Sequence, residues 1–547
     1  MLLRPLGGFG EIGMNCLTVE HDGRLLVIDC GVMFPPRDLP GIDVIHPSFQ
    51  FLVSRRDDIE AVVLTHGHED HLAGIPYLLR ELDVPVAGTG FAANLMAARL
   101  RESDNSGRLD FRRLDVGGRI QAGPFTVSSF AMPHSIVENT GLVIETSAGR
   151  ILHTGDFRLG LRGPAGGRDV LERLAAVAAP GVDLMICDST GAEEREPAGE
   201  ESEVTATLRD LIGGTRGRVF VAIFSSNIRR LEALIGLARD AGRRVVLCGR
   251  SVNNHLKAAL EAGIISLPHG VLAPLNEAAE IPAGRLLVVI SGTQGEARSA
   301  LGRIAAEGHP QLTVEPGDLV VLSSRFIPGN ELVISGMIDR LLLLGARVVH
   351  RGNLPGVHVS GHGSQGEIRM AIEAVRPRSF LPAHGTYRHL SAAVELARAA
   401  GVEQALAATD GQVVRLGPDG PRIEPERVPA GRVYIDGGAG LPESAIRDRR
   451  LIGGRGALVA SFAMDGSGRI IGRVEVLARG VVAEDSLPWL EEQVRLEVRR
   501  LLGALDPGTR ADADRCRDAL RSGLRRFVQK RTSREPWVGV TVVRLEE

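Results

Sequence analysis

Three histidines and two carboxylates lie within six residues of the stretch LTHGHEDH at 64–71. The stretch overlaps the apolar run AVVL at 61–64, which is typical of a short buried β-strand. In an extended segment, side chains two residues apart point the same way, so His66 and His68 converge on one ion. Asp70 and His71 follow at the turn into a helix and face a second position nearby. Imidazole and carboxylate ligands suit zinc and also accept manganese, so the stretch predicts a metal site.

Four ligands cannot complete two metal sites, and further candidates follow other apolar runs. His134 ends FTVSSFAMPH, Asp156 ends ILHTGD and His384 ends FLPAH. A lone histidine at a strand end is commonly structural, but beside H-x-H-x-D-H these residues fill open coordination positions. His389 competes with His384 for the last of them.

Composition restricts the class of protein. A chain of 547 residues suggests two to four domains, and its net charge of −3 excludes a uniformly basic nucleic-acid-binding surface. The five cysteines are scattered without C-x-x-C spacing, which argues against a disulfide framework and a cysteine zinc site. No run has the length of a membrane span, and the first residues lack the pattern of a secretory signal. We therefore expect a cytoplasmic protein without a membrane partner.

The pattern of predicted strands and helices changes twice along the chain. Residues 1–200 mix short strands with helices, whereas 201–354 alternate strand and helix as in a parallel sheet. The earlier style returns over 355–430. A Pro- and Gly-rich stretch at 416–440 predicts a linker, and 431–547 comprise the end of this linker and a small α+β unit. The long gap between Asp156 and His384 therefore predicts an inserted domain.

With these motifs in hand, the sequence resembles the metallo-β-lactamase superfamily, through H-x-H-x-D-H and the later His, Asp and His. Asp188 in CDST, His362 in HVSGHGS and His384 in PAHG match, in order, the marks of its β-CASP branch, which acts on nucleic acids. Within that branch it is similar to the ribonuclease J family. The matching landmarks, in chain order, are PLGGFGEIGMN, VIDCGVMFP, PGIDV, THGHEDHLAGIPYLL, HTGDFR, CDST, FSSNIRR, HVSGHGSQGE, PAHGTYRHL, VYIDG and FVQKRTSREPWV.

The resemblance implies an α/β fold: a metallo-β-lactamase αββα sandwich in two parts, 1–200 and 355–430. The β-CASP domain is then the insertion at 201–354, and a small C-terminal α+β domain follows. It also implies a ligand set and catalytic residues. The first metal takes His66, His68 and His134, the second takes Asp70, His71 and His384, and Asp156 bridges them. Asp29 orients a ligand, or is simply a turn cap. Catalytic roles fall to Asp70, Asp188 and His362.

RNA contacts follow from the same resemblance. A phosphate-binding loop falls on His358, Val359, Ser360, Gly361 and His362, and a nucleotide-contacting loop on Ser226, Asn227 and Ile228. Arg229 and Arg230 either track phosphates or form a solvated face. Gly41, Asp43 and Asp436 match a calcium position, with solvated loop carboxylates as the alternative. The segment GAEEREPAGEESE after Asp188 departs from the family pattern, which leaves its substrate contacts open.

The implied activity is a two-metal ribonuclease that acts 5′→3′ from monophosphorylated ends and also cuts internally, in RNA maturation and decay. The resemblance further implies a homodimer or homotetramer and membership of an RNA-degradation complex. Two alternatives stay open: a non-catalytic subunit that binds RNA or a partner nuclease, and a small-substrate metallo-hydrolase. The complete ligand set argues against the first, and the long insertion argues against the second. The sequence does not choose between zinc and manganese.

Overall fold

The chain folds into two compact units. The computed structural model describes residues 1–36, 39, 41–102, 109–161, 167–197, 199–327 and 329–545. The first unit comprises Met1–Phe34 and Ile45–Arg432, and the second comprises Pro35–Val44 and Val433–Glu547. No described helix combines the length and the apolar composition needed to cross a membrane.

Two sheets face each other in the part of the first unit that carries the predicted metal ligands. The described strands of the first sheet are, in spatial order, Gly420–Arg427, Gln412–Gly417, Leu2–Gly7, Cys16–His21, Arg24–Ile28, Ile59–Val63, Val86–Gly88 and Phe111–Arg113. Those of the second are Gln404–Ala405, Ser379–Ala383, Leu184–Asp188, Gly149–His153, Thr140–Thr146, Phe125–Ala131 and Arg119–Ala122. Leu3 and Val63 of the first sheet and Leu142 and Ile186 of the second belong to one buried apolar cluster. The two sheets therefore share an apolar interface.

Helices cover the outer faces of both sheets. Leu78 and Phe91 pack on the first sheet, and Leu174 and Ile372 pack on the second. The helices of these layers are Gln50–Ser54, Glu69–Leu72, Ile75–Glu81, Gly90–Glu102, Arg168–Ala178, Gln365–Val375 and Tyr387–Ala399. This order of layers confirms the predicted αββα sandwich.

The inserted region forms a parallel sheet of its own. Its described strands are, in spatial order, Leu272–Ala273, Arg244–Cys248, Leu286–Ile290, Val219–Ile223, Leu319–Ser323 and Arg347–His350. All adjacent pairs are parallel, and apolar runs such as LLVVI are buried along their whole length, as expected for a sheet covered on both faces. The helices of this region are Glu201–Gly214, Ile228–Asp240, Arg250–Glu261, Ala300–Ala305 and Glu331–Leu343.

The chain leaves and re-enters the sandwich at neighbouring strands. Leu184–Asp188 precedes the insertion, Ser379–Ala383 follows it, and the two pair in parallel with Asp188 opposite Ala383. Residues on either side of the insertion therefore end at the same edge of one sheet.

The predicted linker at 416–440 is wrong over most of its length, because strands Gly420–Arg427 and Arg432–Asp436 lie within it. Gly420–Arg427 pairs antiparallel with Gln412–Gly417 as the edge strand of the first sheet. Proline is tolerated at an edge strand, where one row of amides needs no partner, and Gly420 adopts a φ of 94° at the turn. Turn-forming residues thus mark a hairpin here rather than a linker.

The second unit contains both helices and strands, as expected of a small α+β unit. Its three-stranded sheet has the order Ile470–Arg479, Ala457–Met464 and Trp537–Arg544. The helices are Glu443–Arg455, Leu487–Ala504, Pro507–Ala511 and Ala513–Thr532, and a short hairpin of Arg432–Asp436 and Ala439–Leu441 precedes them. Apolar residues of the two long helices and the sheet form one core, so this unit has its own hydrophobic centre.

We predict that Leu524→Ala lowers the free energy of unfolding of the second unit by about 2–5 kcal/mol, because it leaves a cavity in that core. The chain has two tryptophans, Trp489 and Trp537, and both lie in this unit, so their fluorescence in urea reports its unfolding.

The matched control is Leu496→Ala on helix Leu487–Ala504, where the leucine is 54% exposed. This change is expected to alter the same free energy by no more than about 0.5 kcal/mol. Equal effects of the two variants would contradict the assigned core.

Candidate active site

Strand ends deliver all seven predicted metal ligands to one place. His66, His68, Asp70 and His71 follow strand Ile59–Val63, the latter two in helix Glu69–Leu72. His134, Asp156 and His384 follow strands of the second sheet. Ligand atoms lie within 4.8 Å of one another in three groups, which are His66–His68–His134–Asp156, Asp70–His71–His384, and Asp156–Asp188–His362–His384. The competitor His389 lies elsewhere, 3.5 Å from Glu193.

In the first group, ring nitrogens of three histidines lie close together. His68 Nδ1 lies 3.0 Å from His66 Nε2 and 3.2 Å from His134 Nε2. His134 Nδ1 donates to the carbonyl of Gly361 at 2.7 Å, so in the neutral ring Nε2 carries a lone pair. Asp156 Oδ2 faces the same point, 3.8 Å from His66 Nε2 and 3.7 Å from His134 Nε2. Electron pairs therefore converge here from several directions.

The second group repeats this arrangement beside Asp156. His71 Nδ1 donates to Asp29 Oδ2 at 2.8 Å, and its Nε2 lies 3.4 Å from Asp156 Oδ2 and 3.7 Å from Asp70 Oδ2. His384 Nδ1 donates to Asp156 Oδ1 at 2.9 Å. Asp156 thus contacts both groups.

The surroundings of His384 Nε2 indicate whether the seven predicted ligands fit metal ions. Among the described residues this buried atom has no hydrogen-bond partner of good geometry, although Asp70 Oδ2 lies 3.1 Å away. A buried ring nitrogen beside a carboxylate is stabilised by positive charge between them, either a proton on the ring or a metal ion. Nitrogen and carboxylate donors in this number suit divalent ions, so the residues present fit two metals.

The pKa values divide the histidines of the site into two sets, one lowered by burial and one raised by nearby carboxylates. Burial lowers the pKa of His134 to about 3, and burial also holds the pKa values of His66 and His68 well below the ordinary value. Burial opposes protonation of His384 too, but Asp156 and Asp70 outweigh it and raise its pKa to about 10. The same balance raises the pKa of His71, through Asp156, Asp70 and Asp29. Without a metal, protons on these two rings offset the carboxylates.

Asp29 is a positioning residue rather than a simple turn cap. Its Oδ1 accepts the backbone N–H of Thr65 at 2.8 Å, while Oδ2 holds His71. Both Asp29, with φ 59°, and His384, with φ 52°, lie in the left-handed region that residues with a Cβ rarely adopt. Backbone strain of this kind is typical of sites where side chains are held in set positions.

Asp188 and His362 form a pair between the two groups. Asp188 Oδ2 accepts from His362 Nδ1 at 2.7 Å, and Asp188 Oδ1 accepts from the backbone of Thr190 at 2.9 Å. The His362 ring centre lies 5.0 Å from that of His134 and 5.5 Å from that of His384. Burial lowers the pKa of His362, but Asp188 outweighs it and raises that pKa above its ordinary value. With both carboxylate oxygens engaged, Asp188 holds His362.

The predicted phosphate loop lies beside these groups. Its Gly361 packs so tightly that a Cβ would lie 2.8 Å from His134 Cε1 and 2.9 Å from Ser135 Oγ. Ser360 and His362 are partly exposed, whereas His358 and Val359 are buried. Backbone groups can therefore approach a ligand closely here.

In the second predicted RNA loop, Ser226 to Ile228, two of the three side chains contribute to packing or helix capping rather than facing solvent. Asn227 caps helix Ile228–Asp240 by accepting from Arg230 N at 3.1 Å, and Ile228 is buried. Ser226 is partly exposed. Arg230 neither tracks phosphate on the surface nor forms a solvated face, because it is 2% exposed, whereas Arg229 is exposed beside Glu232.

The predicted calcium residues lie together in the second unit. Asp43 N donates to the carbonyl of Ile435, and Asp43 Oδ2 accepts from Gly437 N at 2.9 Å. A Cβ on Gly41 would lie 3.8 Å from Asp436 Oδ2, which accepts from Arg449. An arginine thus already supplies positive charge there, and the calcium site stays a prediction.

Sequence reasoning assigned no role to two residues of the site. Asn15 Nδ2 lies 3.1 Å from both His71 Nε2 and the carbonyl of Asp70, and its only signal was its place in the landmark GGFGEIGMN. Glu201 lies in the segment that departs from the family pattern and binds Arg230. Nothing in the local sequence marked Glu201.

Comparisons with known proteins agree with this architecture. Family models match residues 26–215 as a beta-lactamase superfamily domain, 216–341 as the ribonuclease J beta-CASP domain and 444–545 as the ribonuclease J C-terminal domain. Residues 355–407 match a Zn-dependent metallo-hydrolase RNA specificity domain. Ribonuclease J of Mycolicibacterium smegmatis is 38% identical over an alignment that covers 99% of this chain and 96% of that protein. The chain belongs to the ribonuclease J family.

Further relatives of the ribonuclease J family support this assignment. Ribonuclease J of Thermus thermophilus is 37% identical, over 98% of this chain and 94% of that protein. Ribonuclease J2 of Bacillus subtilis is 31% identical, over 97% and 96%. A crystal structure of a protein of unknown function from Enterococcus faecalis superimposes with a TM-score of 0.52 at 17% identity, covering 79% of this chain and 99% of that one, and shows the fold alone. Membership confirms the predicted family, fold class and enzyme class, a metal-dependent ribonuclease.

We predict that Asp29→Asn weakens metal binding about 10- to 100-fold, because the charged partner that orients His71 is lost. Competition with a chromogenic chelator measures the affinity. Asp57→Asn, an exposed aspartate, is the control and keeps the wild-type affinity. Wild-type affinity of Asp29→Asn would contradict the role given to Asp29.

Proposed function

We propose that this chain hydrolyses RNA phosphodiesters by a two-metal mechanism, acting 5′→3′ from monophosphorylated ends and also cutting internally. The observation that carries the proposal is the convergence of ring nitrogens and carboxylates around Asp156, with the Asp188–His362 pair beside them. That geometry suits phosphoryl transfer, where a nucleophile and a leaving oxygen need stabilisation on opposite sides.

Two divalent ions, zinc or manganese, would be held by the seven residues. His66, His68 and His134 would hold one ion, Asp70, His71 and His384 would hold the other, and Asp156 would contribute to both. When bound, the ions supply charge neutralisation at the phosphoryl oxygens and a lower pKa for the attacking water. Asp29 and Gly361 keep His71 and His134 in place for this task.

His362 is the proposed general acid. Water adds to phosphorus, the bond from phosphorus to the 3′ oxygen breaks, and His362 Nε2 gives its proton to that oxygen. Asp188 accepts from Nδ1 and so fixes the ring with Nε2 turned away from it. The products are a 5′-phosphate and a 3′-hydroxyl.

The loop from His358 to His362 is the proposed phosphate-binding element. Because Gly361 of this loop contacts His134, an RNA phosphate bound to the loop would lie next to the ligands. Ser226, which is partly exposed, is proposed to contact a nucleotide. A free 5′-monophosphate bound there explains exonucleolytic cleavage, whereas an internal phosphate in the same place explains endonucleolytic cleavage.

Several expectations complete the proposal. A homodimer or homotetramer, an RNA-degradation complex, a role in RNA maturation and decay in the cytoplasm, and a structural calcium at Asp43 and Asp436 follow from the family resemblance. The complete ligand set disfavours a non-catalytic subunit, and the inserted domain disfavours a small substrate such as a thioester.

We predict that His68→Ala lowers RNA hydrolysis about 10²- to 10³-fold, because it removes the nitrogen at the centre of the first group. The assay uses RNA labelled at a 5′-monophosphate or 5′-triphosphate end and compares protein loaded with zinc and with manganese. Wild-type protein is expected to release labelled mononucleotides faster from the monophosphorylated end.

Circular RNA and a thioester separate the parts of this proposal. Cleavage of the circle tests internal cutting, since a circle has no end to enter. Turnover of the thioester without turnover of RNA would overturn the proposal in favour of a small-substrate hydrolase. RNA binding without cleavage at full metal occupancy would favour the non-catalytic subunit.

We predict that His362→Gln lowers kcat on RNA about 10²- to 10⁴-fold with metal content unchanged, because the 3′ oxygen loses its proton donor. On a p-nitrophenyl ester of a nucleoside 5′-phosphate, whose leaving oxygen needs no proton, the loss is expected to be much smaller. An equal loss on both substrates would contradict the acid role.

A further inference from the structure

Arg230 is the largest fully buried side chain near the proposed phosphate loop. It lies in the first turn of helix Ile228–Asp240, and its side chain is 1% exposed. Buried arginines need partners for their donors, and this one has several. Nη2 pairs with Glu201 Oε1 at 2.8 Å, and Nη1 donates to the carbonyl of Ser323 at 2.8 Å.

A further contact of Arg230 reaches the phosphate loop. Its Nη1 lies 3.0 Å from His358 Nδ1. A guanidinium only donates, so His358 Nδ1 must accept, and the ring proton then lies on Nε2. Burial and the charge of Arg230 lower the pKa of His358 well below its ordinary value, so the ring stays neutral.

His358 Nε2–H is left available for a ligand. The hydrogen bond from Arg230 engages Nδ1, not Nε2, and the residue keeps 7% of its surface exposed. Arg158 supports the same loop from another side by donating to the carbonyl of Ser360 at 3.3 Å, and its Nη2 lies 3.8 Å from Glu201. Glu201 therefore holds two arginines that each contact the loop.

We propose that Glu201 and Arg230 are positioning residues that keep His358 in the Nε2–H tautomer, so that the loop presents a neutral donor to an RNA phosphate oxygen. This inference rests on the proposed ribonuclease activity, because it names how that site recognises phosphate. A neutral N–H group binds a phosphate oxygen through one hydrogen bond, so the product phosphate dissociates readily. A positively charged side chain at this position would bind the product phosphate more tightly and slow its release.

Nitrogen NMR of ¹⁵N-histidine-labelled, metal-loaded protein reads the tautomer directly, with His358→Gln to assign the signal. In wild-type protein, His358 Nδ1 is expected to give the shift of an unprotonated nitrogen. In Arg230→Lys, one ammonium cannot reach Glu201, Ser323 and His358 together, so a mixture of tautomers is expected. Glu201→Gln is expected to lie between the two.

Arg243→Lys is the matched control. Arg243 is also buried, at 4% exposure, and donates to the carbonyls of Gly217, Leu286 and Thr215 near the amino ends of the inserted sheet's strands. Both variants lose a buried guanidinium, but only Arg230→Lys is expected to raise the KM for 5′-monophosphorylated RNA, about tenfold, with kcat within twofold.

Three results would overturn the inference: a protonated Nδ1 in wild-type protein, an unchanged tautomer in Arg230→Lys, or equal rises in KM for Arg230→Lys and Arg243→Lys. The NMR measurement needs no RNA, so it is independent of the proposed function. Wild-type protein with the expected tautomer but no RNA cleavage would instead overturn the proposed function, and with it the RNA role of His358.

Discussion

Crowding of electron pairs around Asp156 is the constraint on which the rest of the structure depends. Its carboxylate lies within 4 Å of nitrogens of His66, His71, His134 and His384. Such a set is stable only when positive charge occupies the space between its members, as protons or as metal ions. Two facing sheets bring their strand ends to this point, and the outer helices hold them there.

The backbone contributes to this centre as much as the side chains do. Asp29 and His384 adopt positive φ angles immediately after strands, which costs about 1–3 kcal/mol each. Gly31 allows an even closer approach, because a Cβ there would lie 1.7 Å from the carbonyl of Asp70. Dense packing of the sandwich offsets these costs and keeps the ligands in one arrangement.

Local sequence patterns predicted the fold class and the candidate metal ligands. The features that the sequence did not predict depend on contacts between segments that are distant in the chain. The spacing in LTHGHEDH and the ends of apolar runs indicated the ligands, because both depend on one segment at a time. The network of Glu201, Arg230 and His358 joins three distant segments, so no single stretch revealed it. Arg229 and Arg230 are neighbours of the same type, and only the helix face decides that the second is buried. Proline and glycine near 420 marked a turn equally well for a linker or a hairpin.

The adjacency of the strands that flank the insertion has a consequence for how the protein is made. Six of the seven proposed ligands leave the ribosome first, and His384 follows Asp156 by 228 residues. At about 5–20 residues per second, synthesis of this stretch takes on the order of 10–50 s. During that interval the nascent chain carries an incomplete centre while it is still attached to its own messenger RNA. Placing the last ligand beyond the insertion therefore delays assembly of the nuclease until most of the chain has been translated.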